Sequence, residues 1–283
     1  MECVVPNALS LLTGIVTNRF SAAEPAPVLP PANAQPPTWT WHVQNTDIVQ
    51  ATPGFVAQYS GPNSLDDHGE IRDTVSFDLY ADVQLWQGAV AELERRFKVG
   101  DRSGAIRFLV YDNRAHMGSY QVALDSPGRP ADIVATRVYR YKTGYGVNAE
   151  QELAKNVGAF ARLGWSDGQN EAWVFADVDR TASLGLSFKG EAWGRPGDTL
   201  GLAGVINAIS STHRDFLAAG GTGILAGDGA LSYGPEQIVE TYYDVRLAPH
   251  LNAALDYQFV ANPAYNRARG PVSIFAIRLH WSL

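Results

Sequence analysis

The chain has 283 residues, a formal net charge of −7, 46% hydrophobic and 11% aromatic residues, and a mean hydropathy of −0.13. No apolar run approaches the roughly 20 residues a membrane helix needs, which excludes a helical membrane protein, and the lack of basic blocks argues against a nucleic-acid partner. A single cysteine, Cys3, rules out an internal disulfide and a cysteine-based zinc site.

Residues 1–16 are mildly apolar but carry no Lys or Arg ahead of the apolar part, and Pro6 interrupts them, so they form a degenerate signal region at best. The Pro/Ala-rich stretch 23–37 reads as a linker. The expected division is therefore an N-terminal arm over 1–37 and one β domain over 38–283.

From there on the chain alternates apolar and polar side chains one for one, which is the period of a strand. The first strand is expected over 39–47, followed by a loop over 48–72 with its PGF, SGPNS and DDHG clusters. Strand 73–86 sets Val75, Phe77, Leu79, Ala81, Val83 and Leu85 against Thr74, Ser76, Asp78, Tyr80, Asp82 and Gln84. Strands 90–99 and 105–113 flank the turn GDRSG; Arg95 falls on the apolar side of the first. A long polar loop is expected over 114–135, then strand 139–153, a three-residue turn and strand 157–165. Residues 171–189 hold at least one strand, clearest over 182–188. The turn 190–198 leads to strand 199–208, and a Gly-rich loop over 209–233 contains a short helix in HRDFLAA. Three further strands close the chain: 239–247 and 251–259, joined as a hairpin by Ala248, Pro249 and His250, and 274–283.

The count is about eleven strands of roughly ten residues. A soluble sheet turns its apolar face to a core, whereas a membrane barrel turns it to lipid and its polar face to a wet lumen, so alternation alone leaves both readings open. Length decides, because ten tilted residues cross a bilayer while soluble strands average five or six. Connections also alternate between short and long, and Trp86, Trp165, Trp173 and Trp281 fall at strand ends, where aromatic girdles sit. The expected fold is all-β, an antiparallel transmembrane β-barrel.

The strings YGPEQIVETYY, LDYQFVANPAYNRARGPVSIFAIRLH, GLAGVIN followed by HRDFLAAGG, VGAFARLGW, and YSGPNSL with its following strand ending in LW resemble the carbohydrate-selective porins of the OprB family. The resemblance runs from about Trp39 to Leu283. It implies a 16-stranded outer-membrane barrel that passes glucose-like sugars down a gradient without cofactor or chemistry, as a monomer or homotrimer in outer-membrane lipid. Three departures accompany it. Gln87 and Gly88 alone join segments that are separated by further strands in the family, so the barrel is expected to be incomplete, with about 11–12 strands instead of 16. Eleven is odd, where single-chain bacterial barrels have even counts. The chain ends Trp281-Ser282-Leu283 rather than on an aromatic residue.

A porin lumen needs fixed donors and acceptors for sugar hydroxyls, and arginine suits this with several donors and a permanent charge. The candidates on polar faces are Glu94, Arg96, Lys98, Arg107, Arg140, Lys142, Glu150, Arg162, Lys189, Glu240, Asp244, Arg246, Asp256 and Arg278, with Tyr80 and Tyr242 as stacking surfaces. For any one of them the plainer alternative is wall solvation or packing. Two rival readings of the whole chain remain: a truncated, non-conducting porin fragment, and a soluble all-β sugar-binding module. His213-Arg214-Asp215 echoes a kinase loop without its phosphate-binding context, Gly227-Asp228-Gly229 lacks further calcium ligands, and the six histidines show no metal spacing. No metal, cofactor or catalytic constellation is expected. The loop over 209–233 either folds inward or stays at the surface.

Overall fold

The computed structural model describes residues 41–283 except 62, 82–87, 129, 173–176 and 283. The 1–37 arm, Trp86 and Trp173 thus lie outside the described residues.

Among the described residues, eleven strands form one antiparallel sheet. They are β1 (Trp41–Pro53), β2 (Gly69–Ala81), β3 (Gly88–Val99), β4 (Arg102–Met117), β5 (Val138–Ala154), β6 (Val157–Ser166), β7 (Arg180–Lys189), β8 (Thr199–Ala208), β9 (Glu236–Ala248), β10 (Leu251–Ala261) and β11 (Val272–Ser282). Neighbours run in the order β2-β1-β11-β10-β9-β8-β7-β6-β5-β4-β3, so β2 and β3 are the two edges and the sheet is not closed. Apart from the β1–β11 contact, every pair joins strands consecutive in sequence.

The strands are longer than their alternation alone shows. β1 continues through Ile48 to Pro53 and β2 starts at Gly69, so the loop expected over 48–72 shrinks to 54–68. Pro53 and Gly69 close the β1–β2 ladder as direct partners. Gly69 takes φ +96° there, a conformation glycine adopts at little cost. The polar loop expected from Arg114 begins later for the same reason, since β4 holds its ladder with β5 out to Met117.

The faces separate as alternation demands. Val49, Ile277 and Leu255 are successive cross-strand partners, and they are 47%, 54% and 59% exposed. Their chain neighbours turn the other way, and Gln50, Ala276, Ala254 and Asp256 are buried. Leu163, Leu184, Leu202, Ile206, Val239, Phe259 and Phe275 extend the exposed apolar band across the sheet. In water a patch of this breadth is a liability, and in hydrocarbon it is the solvated surface. Aromatic side chains mark its borders. Near the long-loop end Tyr145 stacks on Trp165 at 5.0 Å, and the Arg114 guanidinium sits 5.1 Å from the Tyr139 ring centre. At the other end Trp193 donates through Nε1 to the Tyr243 hydroxyl at 3.0 Å.

Short connections at 100–101, 155–156, 190–198 and 249–250 share one end of the sheet, and the long ones at 54–68, 118–137, 167–179, 209–235 and 262–271 share the other. Three of these, 118–137, 209–235 and 262–271, pack into a cap around Tyr120, Ala123, Ile133, Ile209, Phe216, Leu217 and Tyr265. Two short helices stand in it, α1 (Tyr120–Asp125) and α2 (Ser211–Ala218), capped by the side chains of Ser119 and Ser210. Thus the segment expected as a polar loop and the Gly-rich loop jointly hold an apolar core.

Because β7 is flanked on both sides, its two faces give a clean test. A lysine in place of Leu184 should cost about 2–4 kcal/mol of stability in lipid vesicles, and one in place of Ser183 on the polar face less than about 1 kcal/mol. Denaturant unfolding followed by tryptophan fluorescence reads both.

Candidate functional site

Alternation carries all of the candidate charged residues, and Tyr242, to the polar face. Register then sorts them, apart from Lys189 at the short-turn end of β7, into three groups.

The first group crosses β3 to β6. Glu94 and Arg107 are direct cross-strand partners. Arg107 donates through Nε to Glu94 at 2.5 Å and through Nη2 to Glu150 at 2.8 Å. Arg96 bonds the other oxygen of Glu94 but is 68% exposed, so its pair contributes little. Lys98 is exposed near the end of the same edge strand. Arg162 stands over the Phe160 ring at 4.9 Å, a cation–π contact on one strand.

The second group crosses β9 to β11. Glu240 and Gln258 face each other, and the Gln258 amide donates to Glu240 Oε2 at 3.1 Å. Asp256 pairs with Tyr242 across the same ladder, and Arg278 sits diagonally from Asp256 on β11. Asp244 accepts from the Asn252 amide. Arg246 is exposed at the short-turn end, where its backbone N–H donates to Asp198 Oδ1 at 3.2 Å.

Between these groups, β7 and β8 carry small residues, and aromatic rings lie flat over their glycines. A Cβ on Gly201 would meet the Tyr242 ring at 2.2 Å, and one on Gly185 would meet the Phe160 ring at 2.4 Å. Both are direct cross-strand partners, so each ring covers the backbone its neighbour leaves bare.

The third group belongs to the cap. Lys142 is buried, and its ammonium donates to the Asn170 carbonyl at 3.1 Å and to Asp179 Oδ1 at 3.3 Å. Asp179 Oδ2 lies 3.1 Å from Nδ1 of His213 and accepts the Ser210 N–H at 2.9 Å. Burial pushes the Asp179 carboxyl up, but the His213 and Lys142 contacts outweigh it and hold it at about 2. Arg140 donates to the Thr136 carbonyl at 3.4 Å beside the cap. Glu171 clamps Arg137 with both oxygens, at 2.6 and 2.9 Å, and takes the Gly118 N–H at 2.7 Å. Lys142 therefore ties loops down rather than standing in the open.

Several polar-face atoms have no hydrogen-bond partner among the described residues. The acceptors include Gln258 Oε1 and Asn148 Oδ1; Glu240 Oε1 and the Asp256 oxygens lack any other donor, but those two carboxyls lie against each other and hydrogen-bond once one holds a proton. The donors are Nε of Arg140, Arg162 and Arg278, and Nε2 of Gln50. Buried polar groups rarely stay unpaired, so these atoms call for ordered water or a polar solute. Gln50, Gln258 and Phe160 escaped sequence reasoning. Gln50 lay in a stretch that read as loop, and the other two carry no charge to draw the eye. His213 sits three residues past its capping Ser210, and that N-cap spacing was a legible sign of a helix start.

A bilayer-length antiparallel sheet with an apolar outer surface, a charged opposite face and long loops gathered at one end is the wall of an outer-membrane porin. A family model for the carbohydrate-selective porins of the OprB family matches residues 72–283, and the chain belongs to that family. The family is one of outer-membrane transporters rather than enzymes. Among solved structures, Pseudomonas putida OprB at high pH aligns with a TM-score of 0.54 and 17% identity, over 70% of this chain and 49% of that one. Pseudomonas aeruginosa OccK8 (OprE) aligns with a TM-score of 0.45 and 9% identity, over 82% of this chain and 62% of that one. The chain thus spans about half the length of the P. putida protein. No curated protein sequence matches significantly.

Replacing Asp179 by Asn would leave the Lys142 ammonium buried without its counter-charge, and should loosen the cap by about 3 kcal/mol or more. Limited proteolysis of the long loops and amide exchange at Ser210 read this out. In the wild type the carboxylate sits below its ordinary 3.8, so it contributes about 2 kcal/mol above that pH and loses it as pH falls through about 2.

Proposed function

We propose that this chain forms the wall of an outer-membrane pathway through which small neutral sugars diffuse down their gradient. The observation that carries the reading is the polar face itself, where the buried donors of Arg162, Arg278 and Gln50 stand against the acceptors of Gln258 and of the paired carboxyls Glu240 and Asp256. A sugar hydroxyl both donates and accepts, so a path lined with both kinds of group replaces its hydration shell step by step. Acids prevail on β9 and β10 and arginines on β4 to β6, which orients polar solutes. The flat rings of Tyr242 and Phe160 offer apolar faces to the C–H faces of a pyranose. The polar-face charges also stand as candidate contacts along the path, with Arg107, Glu94 and Glu150 holding one another in place. Lys142 and Arg140 act through the cap.

Proteoliposomes holding the assembled pore should swell quickly in monosaccharides and slowly in larger oligosaccharides. Tyr242→Ala and Arg162→Ala should each change the ratio of the two rates several-fold. Equal swelling with and without protein would refute the pathway.

A further inference from the structure

The inner side chains of a porin wall face water and are mostly polar, yet one row on the polar face of this sheet is aliphatic. Val205, Ile238, Val260 and Val272 are successive cross-strand partners over β8 to β11, toward the long-loop end. They are only 1–3% exposed. Phe55 and Leu65, from the segment 54–68, pack against this row and against Ala203 and Ile274 beside it. The segment therefore folds over the inside of the wall, apart from the apolar core of the cap, and keeps water off the aliphatic row.

Its fastenings converge on Arg269. Residues 56–58 run antiparallel to 268–270, where the Gln58 N–H donates to the Ala268 carbonyl at 3.1 Å and the Gly270 N–H to the Val56 carbonyl at 2.9 Å. Arg269 is buried. Its Nη1 donates to the Tyr59 carbonyl, and its Nη2 to the Leu65 carbonyl at 2.8 Å. The guanidinium carbon lies 5.7 Å from the centre of the Phe55 ring, and Nε lies 3.9 Å from Asp228 Oδ2. Asp228 Oδ1 in turn accepts from the Ser64 hydroxyl at 2.7 Å. Gly61 lets the segment lie on the Asp228 backbone, where a Cβ would collide. One planar cation thus grips the segment at three points and ties it to the loop 209–235. Arginine's rigid fork of donors suits two carbonyls, a ring face and a carboxylate at once, whereas a lysine offers a single point charge.

Alternation over 55–58 turns Phe55 to the wall and sends Val56 and Gln58 the other way, and both of these are exposed. We propose that Arg269 is a positioning residue: it pins 54–68 to the inner wall, and the free side of that segment, with Val56 and Gln58, sets the largest sugar that passes. The proposal rests on the porin reading.

The test uses the chain in lipid vesicles with Cys3 replaced by serine and Leu65 by cysteine, and follows labelling by a water-soluble maleimide. Labelling should be slow with Arg269 in place and about tenfold faster once the segment is released by Arg269→Ala. Gly61→Val should act in the same direction by forcing the two backbones apart, and because it leaves the guanidinium in place it supplies the comparison where Arg269→Ala does not refold. Arg269→Lys should restore little. Equal labelling in all forms would overturn the pinning. In the swelling assay, release should lower the ratio of monosaccharide to oligosaccharide rates several-fold, and Gln58→Trp, which leaves every fastening intact, should raise it. A ratio that neither change moves would overturn the size limit. Absence of sugar flux from every form would defeat the transport reading, while the labelling would still decide the role of Arg269.

Discussion

A peptide group placed in hydrocarbon has no water to bond, so every N–H and C=O of a spanning segment must find another peptide. That constraint governs this chain. It fixes strand length near what a bilayer demands, makes each strand pair with its sequence neighbour, and leaves side chains only two directions. Once lipid takes one direction, most of the charge goes to the other, with Arg95 on the edge strand β3 an exception. The fourteen lysines, arginines and acids of the polar face are there because the opposite face would cost several kcal/mol for each charge near the bilayer centre.

The cap obeys ordinary soluble-protein physics. Its apolar core around Tyr120 and Phe216 is held by the buried ion pair of Lys142 with Asp179, the half-buried pair of Arg137 with Glu171, and N-caps on two short helices. The loops thus form one body whose geometry is set away from the bilayer. The polar face below it carries buried donors and acceptors, with the rings of Tyr242 and Phe160 between them.

Much of the fold was legible because period two is a strong signal wherever strands are long. Leu251 to Phe259 and Phe275 to Trp281 display it without interruption, and from Ala254 onward their exposure in the structure follows it. The signal fails at strand ends, where Pro53, Gly69 and His116 look like loop residues and only the ladder reveals them as strand. It fails again in the cap, because an apolar core assembled from three separate loops has no local period. The polar-face charges could be assigned to a side from alternation alone. Their partners could not, since Glu94 meets Arg107 and Gln258 meets Glu240 through register, and one residue of slip would change both pairs.

The central claim is that the apolar face touches acyl chains and the polar face touches water. The most direct measurement places a spin label at each position from Ala253 to Gln258 in turn, in a chain with Cys3 replaced by serine, and compares collision with oxygen and with a water-soluble nickel chelate in membranes. Oxygen should prevail at 253, 255 and 257 and the chelate at 254, 256 and 258, alternating without a break. Equal protection of both sets would mean that a second protein layer covers the apolar face, and the account would fail.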